Sequence, residues 1–156
     1  MKRIIFLIIL MLFSIWCSFN FKVIHVIGTS MQPTLGHGDI CFTVRGNSNV
    51  KRNDIIGFTY KDKCLVKRVI GLPGETVFVG KHSVTIIKKD GTIERLEDKY
   101  LSPLVTNPKI CECTLGKDEF FVLGDNREVA LDSPEIGPIK REQITFKFLF
   151  QIIKVY

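Results

Sequence analysis

Cys64-Leu65-Val66-Lys67-Arg68-Val69-Ile70, closed at once by Gly71-Leu72-Pro73-Gly74, organises the whole chain. An apolar, β-branched run ending in a Gly/Pro turn reads as a strand. Side chains alternate across a strand, so Leu65, Lys67 and Val69 share one face and Val66, Arg68 and Ile70 the other. Each face therefore carries one cation among apolar neighbours. A lysine guarding a sheet edge has this look. So does a buried lysine that gives up its proton and serves as a base. At the ordinary pKa of about 10.4, roughly one lysine in 2,500 is neutral at pH 7. Burial lowers that pKa by as much as about 3 to 5 units, which makes the neutral amine common.

On either side of this strand the same signals repeat. Val23 to Ile27, Ile40 to Arg45 and Asp54 to Tyr60 read as strands before it. Ser83 to Lys89 and Thr92 to Leu96 flank Asp90-Gly91, the signature of a two-residue hairpin with a type I′ turn. Glu119 to Leu123 runs into Gly124-Asp125-Asn126. Near the end, Ile144, Phe146, Phe148, Phe150 and Ile152 alternate with Thr145, Lys147, Leu149 and Gln151, which predicts a half-buried strand. Lys99 to Lys117 has two prolines and no period, and reads as a surface loop.

Composition agrees. The 156 residues make one domain with a core, and 46% hydrophobic content excludes disorder as the main state. Twelve Phe and a single Ala, Ala130, favour strands over a helical bundle. The net charge of +6 is spread along the chain rather than gathered in a stripe, so no nucleic-acid partner is expected.

Ile4 to Phe21 is apolar apart from Ser14, Cys17, Ser18 and Asn20. Eighteen helical residues rise about 27 Å, just enough for a hydrocarbon core of about 30 Å. Lys2 and Arg3 place the N-terminus in the cytoplasm and the remainder on the opposite side. A cleavable signal is the rival, but the small-x-small site with Ala is missing. A retained anchor is expected over 1–21, and an extracytoplasmic domain over 22–156.

Of the five cysteines, Cys17 lies in the anchor and the other four allow three pairings. One Cys-x-Cys at Cys111 and Cys113 is weak evidence for zinc. Buried or incidental thiols are the plainer expectation, though an exterior location permits a bridge.

Three segments carry chemistry. Gly28-Thr29-Ser30-Met31-Gln32-Pro33-Thr34-Leu35 holds a serine between a strand and a Pro-fixed turn. Such a serine is a nucleophile or merely caps its turn. None of His25, His37 and His82 has a triad setting, which leaves Lys67 as the base to consider. Gly124-Asp125-Asn126-Arg127 with Asp132-Ser133 and Gly137-Pro138-Ile139 is a polar loop or a scaffold of carboxylates and amides.

Together these segments resemble the type I signal peptidases, the membrane-bound serine–lysine peptidases of family S26. Ser30 to Leu35 is similar to the nucleophile box. Gly38-Asp39-Ile40 and Asn53-Asp54-Ile55-Ile56 resemble the boxes after it. Lys67 to Glu75 is similar to the lysine box, and Gly124 to Arg127 with Asp132-Ser133 and Gly137-Pro138 to the last box. The resemblance covers about Val23 to Ile139. It implies a mainly β, antiparallel fold on one N-terminal transmembrane helix, with a variable insertion at about 76–119. It implies cleavage of preprotein signal peptides after small-x-small residues, at the surface of the bacterial plasma membrane, without metal or cofactor.

The resemblance assigns Ser30 as nucleophile and Lys67 as general base. Ile24, Val26, Ile27, Met31, Leu35, Leu65 and Val66 match positions that shape the substrate pockets and pairing edge. Arg68, Asp125, Asn126, Asp132 and Ser133 are supporting residues. Three positions depart from the pattern. Ala130 stands where a serine commonly orients the lysine, Pro134 where an arginine commonly follows Asp-Ser, and Gly28 carries no hydroxyl for a second oxyanion donor. A non-catalytic anchored β module that binds exported peptides is the alternative that Ala130 and Pro134 motivate. A self-cleaving, repressor-like peptidase shares the serine–lysine chemistry, but the opening membrane segment argues against it.

Overall fold

The computed structural model describes residues 2–47, 49–80, 83–96 and 109–155. The fold is mainly β and antiparallel, as expected. Helix α1 (Lys2–Asn20) has no buried residue, and it is the one described helix long and apolar enough to cross a membrane. It runs straight into strand β1 (Phe21–His25), so the apolar helix stops one residue earlier than the sequence reading had it.

The larger sheet also contains β2 (Ile40–Arg45), β3 (Ile55–Tyr60), β4 (Lys63–Gly71), β9 (Glu119–Leu123), β10 (Ile139–Lys140) and β11 (Ile144–Ile153). Its order is β1-β2-β11-β3-β4-β9-β10. The smaller sheet has the order β7-β6-β5-β8, from β5 (Thr76–Val79), β6 (Val84–Ile87), β7 (Ile93–Leu96) and β8 (Cys111–Thr114). Helix α2 (Ser133–Ile136) is a single turn.

Three apolar clusters hold the layers together. Phe58, Val69, Phe120 and Ile139 fill one beneath the large sheet, with Leu65 packed against it. Ile70, Val77, Ile86 and Phe121 join the two sheets. Val26, Met31, Leu35, Cys41 and Ile55 form the third, against which Val66 packs. Leu65 and Val69 thus serve one cluster while Val66 and Ile70 serve the others, as the period-2 reading of β4 requires.

Three local expectations change. Cys111–Thr114 is not loop: it pairs with β5 from Val79↔Cys111 to Thr76↔Thr114. Its alternating polarity, Cys-Glu-Cys-Thr, lays every second residue on the small core, a pattern too short to register against the prolines before it. Residues 99–108 of that loop lie outside the described residues, as does His82. The Asp90-Gly91 hairpin is one residue wider than a type I′ turn. Lys88 N donates to Thr92 O, Gly91 N donates to Lys88 O, and among residues 89–91 only Gly91 has positive φ, at 82°. That is the three-residue loop built from a type I turn with a left-handed glycine. Finally, β11 keeps its alternation only as far as Phe146; register shifts fall between Phe148 and Phe150 and between Gln151 and Ile153. Each shift breaks the two-residue period, so Phe150 and Ile152 face solvent.

All five cysteines are free thiols. Burial raises the pKa of Cys41 to about 11 and pushes those of Cys111 and Cys113 upward, which makes them poor nucleophiles.

Candidate active site

Ser30 sits in the loop between β1 and β2, and backbone bonds fix that loop. Val26 N donates to Asp39 O, Gly38 N to Val26 O, and Leu35 N to Met31 O. Asp39, fully buried, accepts from Gly36 N at 2.7 Å and Val155 N at 2.8 Å. Met31 and Leu35 anchor the loop from below, at 2% and 1% exposure. Asn126 N donates to Ser30 O at 3.0 Å, which ties the loop to the segment after β9.

Lys67 reaches Ser30 from β4. Its Nζ donates to Ser30 Oγ at 2.8 Å and to Val66 O at 2.8 Å. The side chain is buried, and burial lowers its pKa from 10.5 to about 8, against the opposing pull of Asp132 and Asp125. Its two acceptors are a neutral hydroxyl and a neutral carbonyl. A buried ammonium with no carboxylate in hydrogen-bond contact gives up its proton readily.

Arg68, the next residue, is also buried but is served differently. Nε and Nη2 grip Asp125 at 2.8 and 2.6 Å, Nη1 donates to Asn53 O, and Nη2 also reaches Thr34 Oγ1. Thr34 Oγ1 in turn donates to Asp125 Oδ2 at 2.5 Å. The bidentate pair binds β4, the serine loop and the 124–127 turn into one unit.

Behind the base, Asp132 accepts from Gly124 N at 3.0 Å, and Ser133 Oγ accepts from Val122 N at 2.9 Å. Burial raises the pKa of Asp132 and lowers that of Arg127, whose Nε lies 3.6 Å from Asp132 Oδ2. Arg127 thus faces Asp132 where Pro134 offers no charge, while Arg68 is committed to Asp125. Gly124 has no room for a side chain. A Cβ there would lie 2.3 Å from Ala130 Cβ and 2.7 Å from Ser30 O.

A cleft of about 410 Å³ opens over Ser30 and Lys67. Ile24, Val26, Ile27, Met31, Leu65 and Val66 line it, together with Cys64 and Phe146. Leu35 is brought instead into the core under the serine loop. One wall is β1, whose described ladder partner is β2 alone; the other is the first half of β4, since β9 pairs with β4 only from Arg68 onward. Both walls offer unpaired backbone groups to an extended chain. The sequence reading missed Val66 O as an acceptor, Thr34 and Lys109. A carbonyl has no residue-type signal, and the other two become visible only through their partners.

The model of the family described as signal peptidase, peptidase S26, matches residues 1–153. The chain belongs to the signal peptidase family S26. As members of that family are hydrolases, this protein is an enzyme of that class. It is 35% identical over 150 residues to signal peptidase I P of Bacillus subtilis subsp. natto, covering 85% of this chain and 78% of that protein. It is 28% identical over 184 residues to signal peptidase I of Streptococcus pneumoniae serotype 4, covering 95% and 90%. Among solved structures, a signal peptidase I from Enterococcus faecalis superimposes with a TM-score of 0.52 at 29% identity, covering 62% of this S26 chain and 94% of that one.

Proposed function

We propose that this S26 peptidase is a serine endopeptidase that removes N-terminal signal peptides from exported preproteins, with Ser30 as nucleophile and Lys67 as general base. The 2.8 Å contact between Lys67 Nζ and Ser30 Oγ, with the amine buried, carries the reading.

The preprotein enters the cleft as an extended strand between β1 and β4, and its backbone bonds to their free edges. Ile24, Met31, Leu65 and Val66 crowd the floor, so small side chains before the scissile bond fit best. Neutral Lys67 takes the Ser30 hydroxyl proton as Oγ attacks the carbonyl carbon. The oxyanion lies against the Ser30 N–H. Lys67 then hands its proton to the leaving amine, which departs with the mature protein. The neutral amine next activates a water, and hydrolysis of the acyl-enzyme frees Ser30. Arg68, Asp125, Asn126, Asp132 and Ser133 hold these groups in register.

Residues 1–21 anchor the protein in the bacterial plasma membrane, with Lys2 and Arg3 on the cytoplasmic side and the peptidase domain, 22–156, outside. Exposed Val23, Ile27, Phe150 and Ile152 support this placement, because they carry apolar surface away from the foot of α1. Phe13, Trp16, Phe21, Phe42 and Phe150 form an unbroken series of ring contacts from helix to sheet. The deciding experiment is cleavage of a panel of signal-peptide-bearing preproteins by the purified chain. Processing by wild type and none by Ser30→Ala is the expected result; a wild type inert towards the whole panel would leave an anchored peptide-binding module.

A further inference from the structure

Lys67 is enclosed on one side by the segment from Gly124 to Ser133. Ala130, 1% exposed, is buried in its far limb. A Cβ built on Gly124 would touch Ala130 Cβ, Ser30 O and Lys67 Cδ at once, so these three groups meet at one point. Ala130 offers the amine no hydroxyl. What holds its backbone is a second lysine: Lys109 Nζ donates to Ala130 O at 2.7 Å and pairs with Glu135. Lys109 immediately precedes Ile110 and β8, the edge strand of the small sheet, so the contact joins that sheet to the wall around the base.

We propose that Lys109 is a positioning residue for the base, holding Ala130 by its carbonyl in the wall beside Lys67 and keeping a positive charge near the amine. This rests on the serine–lysine reading above. The contact keeps the wall closed over the Lys67 stem. The charge acts in the same direction, since a neighbouring cation disfavours a second one. Lys109 does lower the proton affinity of Lys67, whereas Asp132 and Asp125 raise it. Among the described residues, the other charged groups here are Arg127, which faces Asp132, Arg68, which is held by Asp125, and Glu135, which faces Lys109. Lys109 is thus a cation set against two carboxylates, adding to the larger effect of burial on the base.

The test compares pH profiles of kcat/KM for preprotein cleavage by the full chain in detergent, as wild type, Lys109→Met and Lys109→Arg. Lys109→Met should move the acid limb upward by about 0.5 to 1 pH unit and slow cleavage roughly three- to tenfold at pH 7. Lys109→Arg should keep the wild-type limb. A second readout needs no turnover: the pH dependence of acylation at Lys67, followed by mass spectrometry, should move with the same sign. An unmoved limb in Lys109→Met, or an equal shift in Lys109→Arg, overturns the proposal. If cleavage survives Ser30→Ala or Lys67→Ala, the serine–lysine reading fails instead, and acylation of Lys67 still decides what Lys109 does to it.

Discussion

Lys67 Nζ and Ser30 Oγ stand 2.8 Å apart although 37 positions separate the two residues. The serine arrives on a loop pinned by Asp39 and Asn126, the lysine on a strand pinned by β3 and β9. Two rigid supports meeting at one hydrogen bond give the pair its geometry.

Removing either partner is expected to abolish processing. Ser30→Ala and Lys67→Ala should each reduce preprotein cleavage by at least about a thousandfold, the scale of a lost nucleophile or base. Lys67→Arg should be as inactive, because a guanidinium stays charged. Gel-resolved cleavage of a preprotein checks all three.

Activity should rise with pH. The base works when neutral, and its pKa is about 8, so kcat/KM should climb through that value and level above it. At pH 6 roughly one hundredth of the plateau should remain. A profile flat from pH 6 to 10 would remove Lys67 from the role of base.

The same group makes stability depend on pH. The folded pKa lies below the unfolded value, so between about 8 and 10.5 the unfolded chain binds more protons and stability rises with pH. The fall from 10.5 to about 8 corresponds to roughly 3 kcal/mol, a penalty present below pH 8 and relieved by pH 10.5. Lys67→Met should be more stable than wild type at pH 7, and the gap should close by pH 10.5. Denaturant melts at the two pH values measure this.

Breaking the Arg68–Asp125 pair should unfold what it joins. Asp125→Ala leaves a guanidinium 5% exposed without its carboxylate. The expected loss is about 3 to 5 kcal/mol. Thr34→Val, which removes only the bridging hydroxyl, should cost about 1 kcal/mol. Urea midpoints of the two variants should differ accordingly.

Gly124→Ala tests the close approach behind the base. The added methyl would fall 2.7 Å from Ser30 O. It should cost about 1 to 3 kcal/mol and lower kcat more than KM, because the serine loop must move.

Adjacent Lys67 and Arg68 show where the sequence stops speaking. Their alternation on an apolar strand is local information, and it predicted one cation on each face. Which of the two keeps its charge is not local. Arg68 meets a carboxylate 57 positions away, while Lys67 meets a hydroxyl and a carbonyl. The 124–133 segment behaves likewise. Its spelling left a polar loop and a scaffold both open, and the assignment of Arg127 to Asp132 required coordinates.

The sequence by itself determined the apolar opening helix, most of the strands, the turns and the chemistry-bearing segments, because each depends on a period or a spacing of a few residues. The tertiary structure alone decided the depth of Lys67, the pairing of β8 with β5 and the contact of Lys109 with Ala130. Burial and long-range contact are properties of what the rest of the chain brings alongside, and no short window of residues encodes them.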